Sequence, residues 1–290
     1  MLIAKNWKSY ELLDAGDGEK LERWGEFYLR RPDPQAIWPK RLDSKKWENV
    51  HAHYHRSQKG GGHWEALKKL PSKWVINYNK LSFNVKLMSF KHTGLFPEQA
   101  ENWEWMINKI KNAGRNINVL NLFAYTGAAT VACAYAGASV CHVDASKGMV
   151  NWAKENLDLS GLADKPVRFI IEDVLEFVKR EIRRGKKYEA IIMDPPSYGR
   201  GPNGEVWQIE EQLFLLIKEA FNLLADKPLF VLLNSYTTGF SPYVLRNIID
   251  LNIKQKGIIS CGEIGLPITN SNIILPCGIY CKWEENSIKN

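Results

Sequence analysis

The chain has 290 residues, a hydrophobic fraction of 45% and a formal net charge of +7 at neutral pH. It has no run of about 18 uncharged apolar residues, which argues against a membrane-spanning helix, and its N-terminus lacks the features of a secretory signal. We therefore expect a cytoplasmic protein without membrane contact, long enough for one large or two smaller domains.

The first predicted domain, residues 1–90, carries the whole charge excess. It has seventeen Lys and Arg against ten Asp and Glu, and six of the eleven tryptophans. Short strand-like runs broken by turns, with a hairpin over residues 74–87, predict a small basic β-rich region. Cations interleaved with flat aromatic side chains suit phosphate contact and base stacking, which makes this region a candidate RNA-binding surface. The alternative is a solvated basic surface over a tryptophan-rich core.

Four of the six histidines lie in residues 51–63. The first three would share one face of a strand, but no acidic or sulfur ligand accompanies them, so no metal site is predicted. Arg56, Lys59 and the glycines at 60–62 suit a phosphate-contacting loop. A disordered basic loop is the alternative.

From about residue 97 the pattern changes to apolar strand-like runs that alternate with amphipathic helices. Helices are predicted at 97–111, 128–136, 147–159, 175–184 and 209–224, and strands at 119–123, 139–144, 167–171, 190–194 and 229–234. Two late strand-like runs, near 257–261 and 273–281, have no long helix between them and predict an antiparallel hairpin at a sheet edge. The second domain, residues 91–290, is therefore predicted to be an α/β domain with a mostly parallel sheet covered on both faces.

The first candidate site segment follows the first strand of this domain. A tight turn at Gly127 leads into a helix of small residues, so that backbone can approach a ligand closely and the helix N-terminus offers N–H donors. The alternative is an ordinary turn, because one glycine does not make a G-x-G-x-x-G motif. The candidate ligand-binding residues here are Asn121, Phe123, Ala124, Tyr125, Thr126 and Gly127.

Acidic residues end the next two strands. Asp144, with Ala145 and Ser146 beside it, can accept hydrogen bonds from both ribose hydroxyls of an adenosine. Asp173 can accept from an adenine amine while Val174 packs on the ring. The alternative for both acids is capping of the helix that follows.

The strongest motif, Asp194-Pro-Pro-Ser-Tyr198, follows the fourth strand. Pro195 and Pro196 end the strand ladder, stiffen the backbone and keep their carbonyl oxygens. Asp194 and a neighbouring carbonyl can then accept hydrogen bonds from an amine and orient its lone pair. Tyr198 can stack on a planar base. A rigid structural loop is the alternative.

These four segments resemble those of class I S-adenosylmethionine-dependent methyltransferases, which place a glycine turn, a ribose acid, an adenine acid and an Asp-Pro-Pro motif at these strand ends. With His92-Thr-Gly-Leu-Phe-Pro-Glu-Gln99 ahead of them, they resemble more closely the bacterial 23S ribosomal RNA methyltransferases of the RlmI/RlmK type. The resemblance implies a Rossmann-like fold with a seven-stranded sheet, S-adenosylmethionine as the cofactor and RNA as the partner. It also implies that Phe96 and Gln99 flank the methionine end of the cofactor. The PUA-type RNA-binding domain of that family is not recognisable in residues 1–90.

The acceptor atom is predicted from the cysteines. Methylation at C5 of cytosine uses a cysteine nucleophile, and neither the loop at 194–201 nor the segment at 234–238 contains one. A ring or exocyclic nitrogen of a base is therefore the expected acceptor. Three alternatives stay open: a small-molecule or protein methyltransferase, an RNA-binding protein with a vestigial cofactor site, and a nicotinamide dehydrogenase, which would need a richer glycine loop.

Overall fold

The computed structural model describes residues 1–57, 61–201 and 204–286. Residue contacts divide the chain into two compact units, one of Met1–Glu101 with Ile264–Cys277, and one of Asn102–Glu263 with the described residues from Gly278 onward. These units divide the chain elsewhere than after residue 90, and the proposed domain boundary stays a prediction. Lys59 and Gly60 of the predicted phosphate-contacting loop lie outside the described residues.

The first unit is rich in β-structure, as predicted. Its elements are β1 (Leu2–Ile3), β2 (Tyr10–Gly16), β3 (Glu19–Trp24), β4 (Phe27–Pro32), α1 (Ser44–Glu48), β5 (Ala52–Arg56), β6 (Gly62–Ala66), β7 (Trp74–Tyr78) and β8 (Leu81–Val85). Strands β2 to β6 form a five-stranded sheet in chain order, and β7 and β8 form the predicted hairpin. Burial alternates along β7, as expected for a strand with one face in the core.

The tryptophans of this unit are structural. Trp24, Trp47 and Trp74 are buried in the core. The other three are half-buried, and their indole N–H groups donate to backbone carbonyls: Trp7 to Pro97, Trp38 to Ala15 and Trp64 to Phe90. Three of the six tryptophans therefore belong to a core and the other three are fixed by backbone hydrogen bonds, and RNA contact by this region stays a prediction.

The rest of the chain forms the α/β fold. Its elements are α2 (Ala100–Lys111), β9 (Asn118–Leu122), α3 (Ala128–Tyr135), β10 (Ser139–Asp144), α4 (Lys147–Leu159), β11 (Val167–Ile171), α5 (Val174–Arg183), β12 (Ala190–Met193), β13 (Tyr198–Arg200), β14 (Val206–Gln208), α6 (Ile209–Ala220), β15 (Phe230–Ser235), α7 (Pro242–Asn252), β16 (Gly257–Pro267) and β17 (Ile274–Glu285). The predicted helix at 97–111 begins with a short 3₁₀ segment, Pro97–Gln99. The predicted helix at 209–224 ends with another, Phe221–Leu223.

The main sheet has the predicted Rossmann-like arrangement, in the order β16-β17-β15-β12-β9-β10-β11. Strands β9, β10, β11, β12 and β15 pair in parallel, whereas β17 runs antiparallel to β15. Within the first unit, β1 extends this sheet to an eighth strand by pairing with Ile264 and Gly265. Every residue of β12 and β15 is buried, because helices on both faces of a parallel sheet leave its central strands no exposed side.

Among the described residues, no helix combines the length and apolarity needed to cross a lipid bilayer.

Candidate active site

The candidate site lies where the central strands of the sheet end. Leu122 of β9 pairs with Val143 of β10 on one side and with Met193 of β12 on the other. Asp144 and Asp194, the next residues along β10 and β12, therefore lie at the same sheet edge, two strand spacings or about 10 Å apart. The strand order reverses beside β9, and ligands of open parallel sheets bind at such a switch point.

The turn between β9 and α3 has an unusual backbone. Phe123, Tyr125 and Gly127 all have left-handed conformations, with φ of 54°, 52° and 82°. Such conformations are strained for Phe123 and Tyr125, which carry side chains, and strained residues tend to cluster at functional sites. Hydrogen bonds hold the turn: the N–H of Ala124 donates to the carbonyl of Val143 at 3.0 Å, and the N–H of Gly127 to the carbonyl of Ala124 at 3.0 Å.

Gly127 is required at the start of α3 for two reasons. Its φ is left-handed, and a Cβ atom there would lie 2.7 Å from Cβ of Ala153 in α4. Because glycine has no side chain to cap the helix, the first N–H groups of α3 are presented at the sheet edge beside the strained turn. That arrangement suits a ligand with acceptor oxygens.

The carboxylate of Asp144 is held in place by backbone donors. Oδ2 accepts from the N–H of Tyr125 at 2.9 Å, and Oδ1 accepts from the N–H of Ser146 at 2.8 Å. Burial raises the pKa of Asp144, and these two hydrogen bonds oppose the shift only in part. The residue that caps α4 is Ser146, whose Oγ accepts from the N–H of Met149, and not Asp144. Asp144 is therefore a positioned acceptor whose further lone pairs can bind hydroxyl groups.

Two of the candidate residues, Asn121 of β9 and Thr126 of the turn, make hydrogen bonds within the core. The amide of Asn121 donates to Oγ1 of Thr130 at 3.0 Å, and that hydroxyl bonds Nδ1 of His142 at 2.9 Å. Burial lowers the pKa of His142 to about 3, so the ring is neutral at pH 7. The carbonyl of Thr126 accepts from Asn156 at 2.8 Å. The side chain of Asn121 is thus committed to the core.

Asp173 follows β11 at the same edge of the sheet and caps α5. Helix capping is the alternative that the sequence leaves open for this acid. Its Oδ1 accepts from the N–H groups of Leu175 and Glu176 at 2.9 and 3.1 Å. Val174 beside it is buried in the core. Capping fixes the orientation of the carboxylate, so adenine recognition by Asp173, which stays a prediction, depends on its second oxygen.

The loop after β12 is anchored at three points. Trp207 donates its indole N–H to the carbonyl of Pro196 at 2.6 Å. The N–H of Ile209 donates to the carbonyl of Ser197 at 3.1 Å, and Oγ of Ser197 bonds Oγ1 of Thr237 at 2.7 Å. These bonds fix the loop that presents Asp194, and they engage the second of its two proline carbonyls.

The side chains of this loop differ in exposure. Pro195 is buried, Asp194 is half-buried, and Pro196 is exposed. Tyr198, the first residue of β13, is 53% exposed, so its ring offers a face to a planar ligand. The roles of Asp194 in holding an amine and of Tyr198 in stacking on a base stay predictions.

Sequence reasoning missed Trp207 and Thr237. The indole ring of Trp207 lies 4.9 Å from that of Phe123, so the same side chain that bonds the Asp-Pro-Pro loop also packs on the strained turn. The available signal was a single tryptophan just before a predicted helix, which resembles any core residue. Thr237 lies in the cysteine-free segment 234–238, and no local pattern there indicates that its hydroxyl bonds Ser197.

Four of the five cysteine thiols are poorly suited to nucleophilic attack. Burial raises the pKa of Cys133, Cys141 and Cys277, and raises that of Cys281 to about 12. A raised pKa keeps a thiol protonated at pH 7, whereas attack requires the thiolate. This agrees with the sequence argument against C5 chemistry.

Phe96 and Gln99 belong to the first unit. Phe96 precedes the 3₁₀ segment Pro97–Gln99, with its ring 5.6 Å from that of His92, and Gln99 is buried. Their role beside the methionine end of the cofactor stays a prediction.

Comparison with known proteins adds independent information. A family model described as S-adenosylmethionine-dependent methyltransferase matches residues 33–219. The chain is similar to a SAM-dependent methyltransferase from Agrobacterium tumefaciens, whose crystal structure it matches with a TM-score of 0.94 at 36% identity, over 98% of this chain and 92% of that one. It is 28% identical over 252 residues to the ribosomal RNA large subunit methyltransferase K of Neisseria meningitidis, covering 84% of this chain and 69% of the relative. It is 32% identical over 190 residues to the ribosomal RNA large subunit methyltransferase K/L of Shewanella frigidimarina, covering 65% of this chain and 25% of the relative.

Proposed function

The chain belongs to the family of S-adenosylmethionine-dependent methyltransferases, and we propose that it methylates a nitrogen of a base in ribosomal RNA. The names of two relatives support this substrate. The chain spans only 25% of the length of the K/L relative, so the substrate is inferred for the matched part alone. The observation that carries the proposal is the shared sheet edge of Asp144 and Asp194.

The residues at this edge suit the cofactor. The ribose hydroxyls would donate to Asp144, whose carboxylate is already oriented by two backbone N–H groups. The backbone of residues 123–127 approaches the same place through a turn that only glycine can complete at 127. Ala145 and Ser146 would line the ribose, and Asp173 with Val174 would bound the adenine.

The chemistry that the cofactor supplies is an electrophilic methyl group on a sulfonium centre. The protein would position the acceptor nitrogen in line with it. Asp194 and the carbonyl of Pro195 would accept hydrogen bonds from the acceptor amine, and Tyr198 would stack on the base. Neutral nitrogen needs no strong base before attack, so hydrogen bonds that orient the acceptor amine would suffice. Trp207 would keep the loop in place by holding the carbonyl of Pro196.

The basic first third of the sequence is the proposed RNA contact. Its charge excess of seventeen cations over ten anions attracts phosphate at any base sequence. Three of its tryptophans are buried in the core and the other three donate to backbone carbonyls, so affinity should come from charge more than from stacking. RNA binding should then weaken steeply as salt concentration rises.

The test is methyl transfer from labelled S-adenosylmethionine to ribosomal RNA isolated from a strain that lacks the gene. The protein should label this RNA at one nitrogen, fixed by mass mapping, and should not label RNA from the parent strain. Asp194→Asn should reduce the rate at least about 100-fold, and Glu211→Gln, an exposed acid on α6, should leave it unchanged. Equal absence of labelling on both RNAs, with labelling of cell extract proteins or metabolites instead, would overturn the RNA proposal.

A further inference from the structure

A cluster of histidines lies on one face of the β5–β6 hairpin, in the first unit. The strands pair so that His53 is opposite Glu65 and His55 is opposite His63. Residues two apart on a strand share a face, and so do residues directly opposite each other. The four side chains therefore occupy the corners of one small patch. The sequence prediction found no acidic ligand for these histidines, and the hairpin register now provides Glu65.

The side chains are close enough to share one ion. One ligand atom from each of His53, His55 and Glu65 lies within 4.8 Å of the others. Nε2 of His55 is 2.7 Å from Oε2 of Glu65, and the rings of His53 and His55 are 4.0 Å apart. The ring of His63 stacks on that of His55 at 5.4 Å. Metal–ligand bonds of about 2 Å require only small side-chain adjustments from such a cluster.

An outer carboxylate orients the innermost histidine. Nε2 of His53 is 3.0 Å from Oε1 of Glu19, and metal-binding histidines generally use their other ring nitrogen in such a bond. The Glu19 carboxylate is itself held by Arg30, whose Nε and Nη2 donate to Oε1 and Oε2 at 2.8 and 2.6 Å, and by Nζ of Lys40, which donates to Oε2 at 2.7 Å. Glu19 can therefore fix the orientation of the His53 ring.

We propose that His53, His55 and Glu65 bind a divalent late transition-metal ion, for which Zn²⁺ is the probe, with the ring of His63 stacked beside them. Imidazole with one carboxylate is a donor set that suits Zn²⁺, Ni²⁺ and Cu²⁺ more than Mg²⁺ or Ca²⁺. His53 and His55 lie on β5 and Glu65 lies on β6, so the ion would cross-link the two strands. This site is additional to the methyltransferase function and does not depend on its substrate.

The test is titration of chelator-treated full-length protein with Zn²⁺ in a calorimeter. The wild type should bind one Zn²⁺ per chain at this site. His55→Ala and Glu65→Gln should each weaken that binding at least about 10-fold. Both side chains are substantially exposed, at 39% and 51%, so their removal should leave the fold and its circular dichroism unchanged.

The matched control is His51→Asn. His51 lies just before the same strand, and its Nδ1 accepts from Tyr28 N–H, which an asparagine oxygen can replace. This variant should bind Zn²⁺ as the wild type does. Binding that is equal in His55→Ala and the wild type would overturn the proposal, and so would the absence of binding by the wild type. A Co²⁺ spectrum with a thiolate charge-transfer band that persists in His55→Ala would assign the metal to the cysteines instead.

Discussion

Substitution of Gly127 by alanine tests how the cofactor turn is built. Two separate costs are expected at this position. The backbone is left-handed, with φ of +82°, and the new Cβ atom would meet Cβ of Ala153 at 2.7 Å and its Cα at 3.2 Å. Ala153 is fully buried in α4, so the contact cannot be relieved by moving a flexible side-chain end.

The two costs can be estimated separately. A non-glycine residue in the left-handed region costs about 1–2 kcal/mol, and overpacking by one methyl group in a closed core costs about 1–3 kcal/mol. Gly127→Ala should therefore lower the free energy of unfolding by about 2–5 kcal/mol. Gly161→Ala is the matched control, because Gly161 has φ of +69° and nothing within 4 Å of its added Cβ. It should show the backbone cost alone.

The assay is urea unfolding of both variants, combined with calorimetric binding of S-adenosylmethionine. Gly127→Ala should lose cofactor affinity as well as stability, whereas Gly161→Ala should keep wild-type affinity. Adding Ala153→Gly to Gly127→Ala removes the Cβ that is struck, and a double-mutant cycle should recover about 1–3 kcal/mol as coupling energy. Equal destabilisation by Gly127→Ala and Gly161→Ala, with no coupling to Ala153, would refute the steric part of the reasoning.

Three further predictions follow from the other contacts of the site. Trp207→Phe keeps an aromatic ring but loses the indole N–H that donates to the carbonyl of Pro196. The kcat for methyl transfer should fall about 10-fold, equivalent to about 1.4 kcal/mol. An unchanged steady-state kcat would contradict this. Burial lowers the pKa of His142 to about 3 in the folded protein. In the unfolded chain the same imidazole has an ordinary pKa near 6.5. Between pH 7 and 5, therefore, His142 becomes protonated only in the unfolded chain. The wild type should then lose about 2 kcal/mol more unfolding free energy over that interval than His142→Asn does, and parallel pH profiles would argue against a neutral buried ring. Asp144→Asn should weaken S-adenosylmethionine binding about 10- to 100-fold, equivalent to about 1.4–2.7 kcal/mol, while unfolding in urea changes by less than about 1 kcal/mol; unchanged calorimetric affinity would exclude ribose contact.

The sequence predicts the sheet edge well because the relevant signals are local. Strand and helix periods differ, and each candidate motif follows its own strand directly. Asp144 and Asp194 could therefore be placed on one edge from the rule that parallel strands end together. Glycine at 127 could be recognised as a turn residue from its position, although its contact with Ala153 could not.

Features that depend on pairing between distant residues were not predictable in the same way. The hydrogen bond from the Trp207 indole to the carbonyl of Pro196 forms because β13 and β14 pair and bring the two residues together. The sequence does not indicate that these two short strands pair. The first-unit tryptophans have no periodic pattern that distinguishes a core from a binding surface. Helix α7 was not predicted from the sequence, although Leu245 and Ile249, four residues apart, are buried on one of its faces.

The histidine patch illustrates the same limit. His53 and His55 share a face by spacing along one strand, which the sequence shows. Glu65 joins them only through the register of β5 with β6, and register is set by the turn and by the whole sheet.

The most direct test of the central claim is a crystal structure of the protein grown with S-adenosylhomocysteine. The account predicts that the ribose hydroxyls bind the carboxylate of Asp144 and that the sulfur lies on the side of the edge facing Asp194. Electron density for the ligand away from the ends of β9, β10 and β12, with Asp144 in contact only with protein, would contradict it.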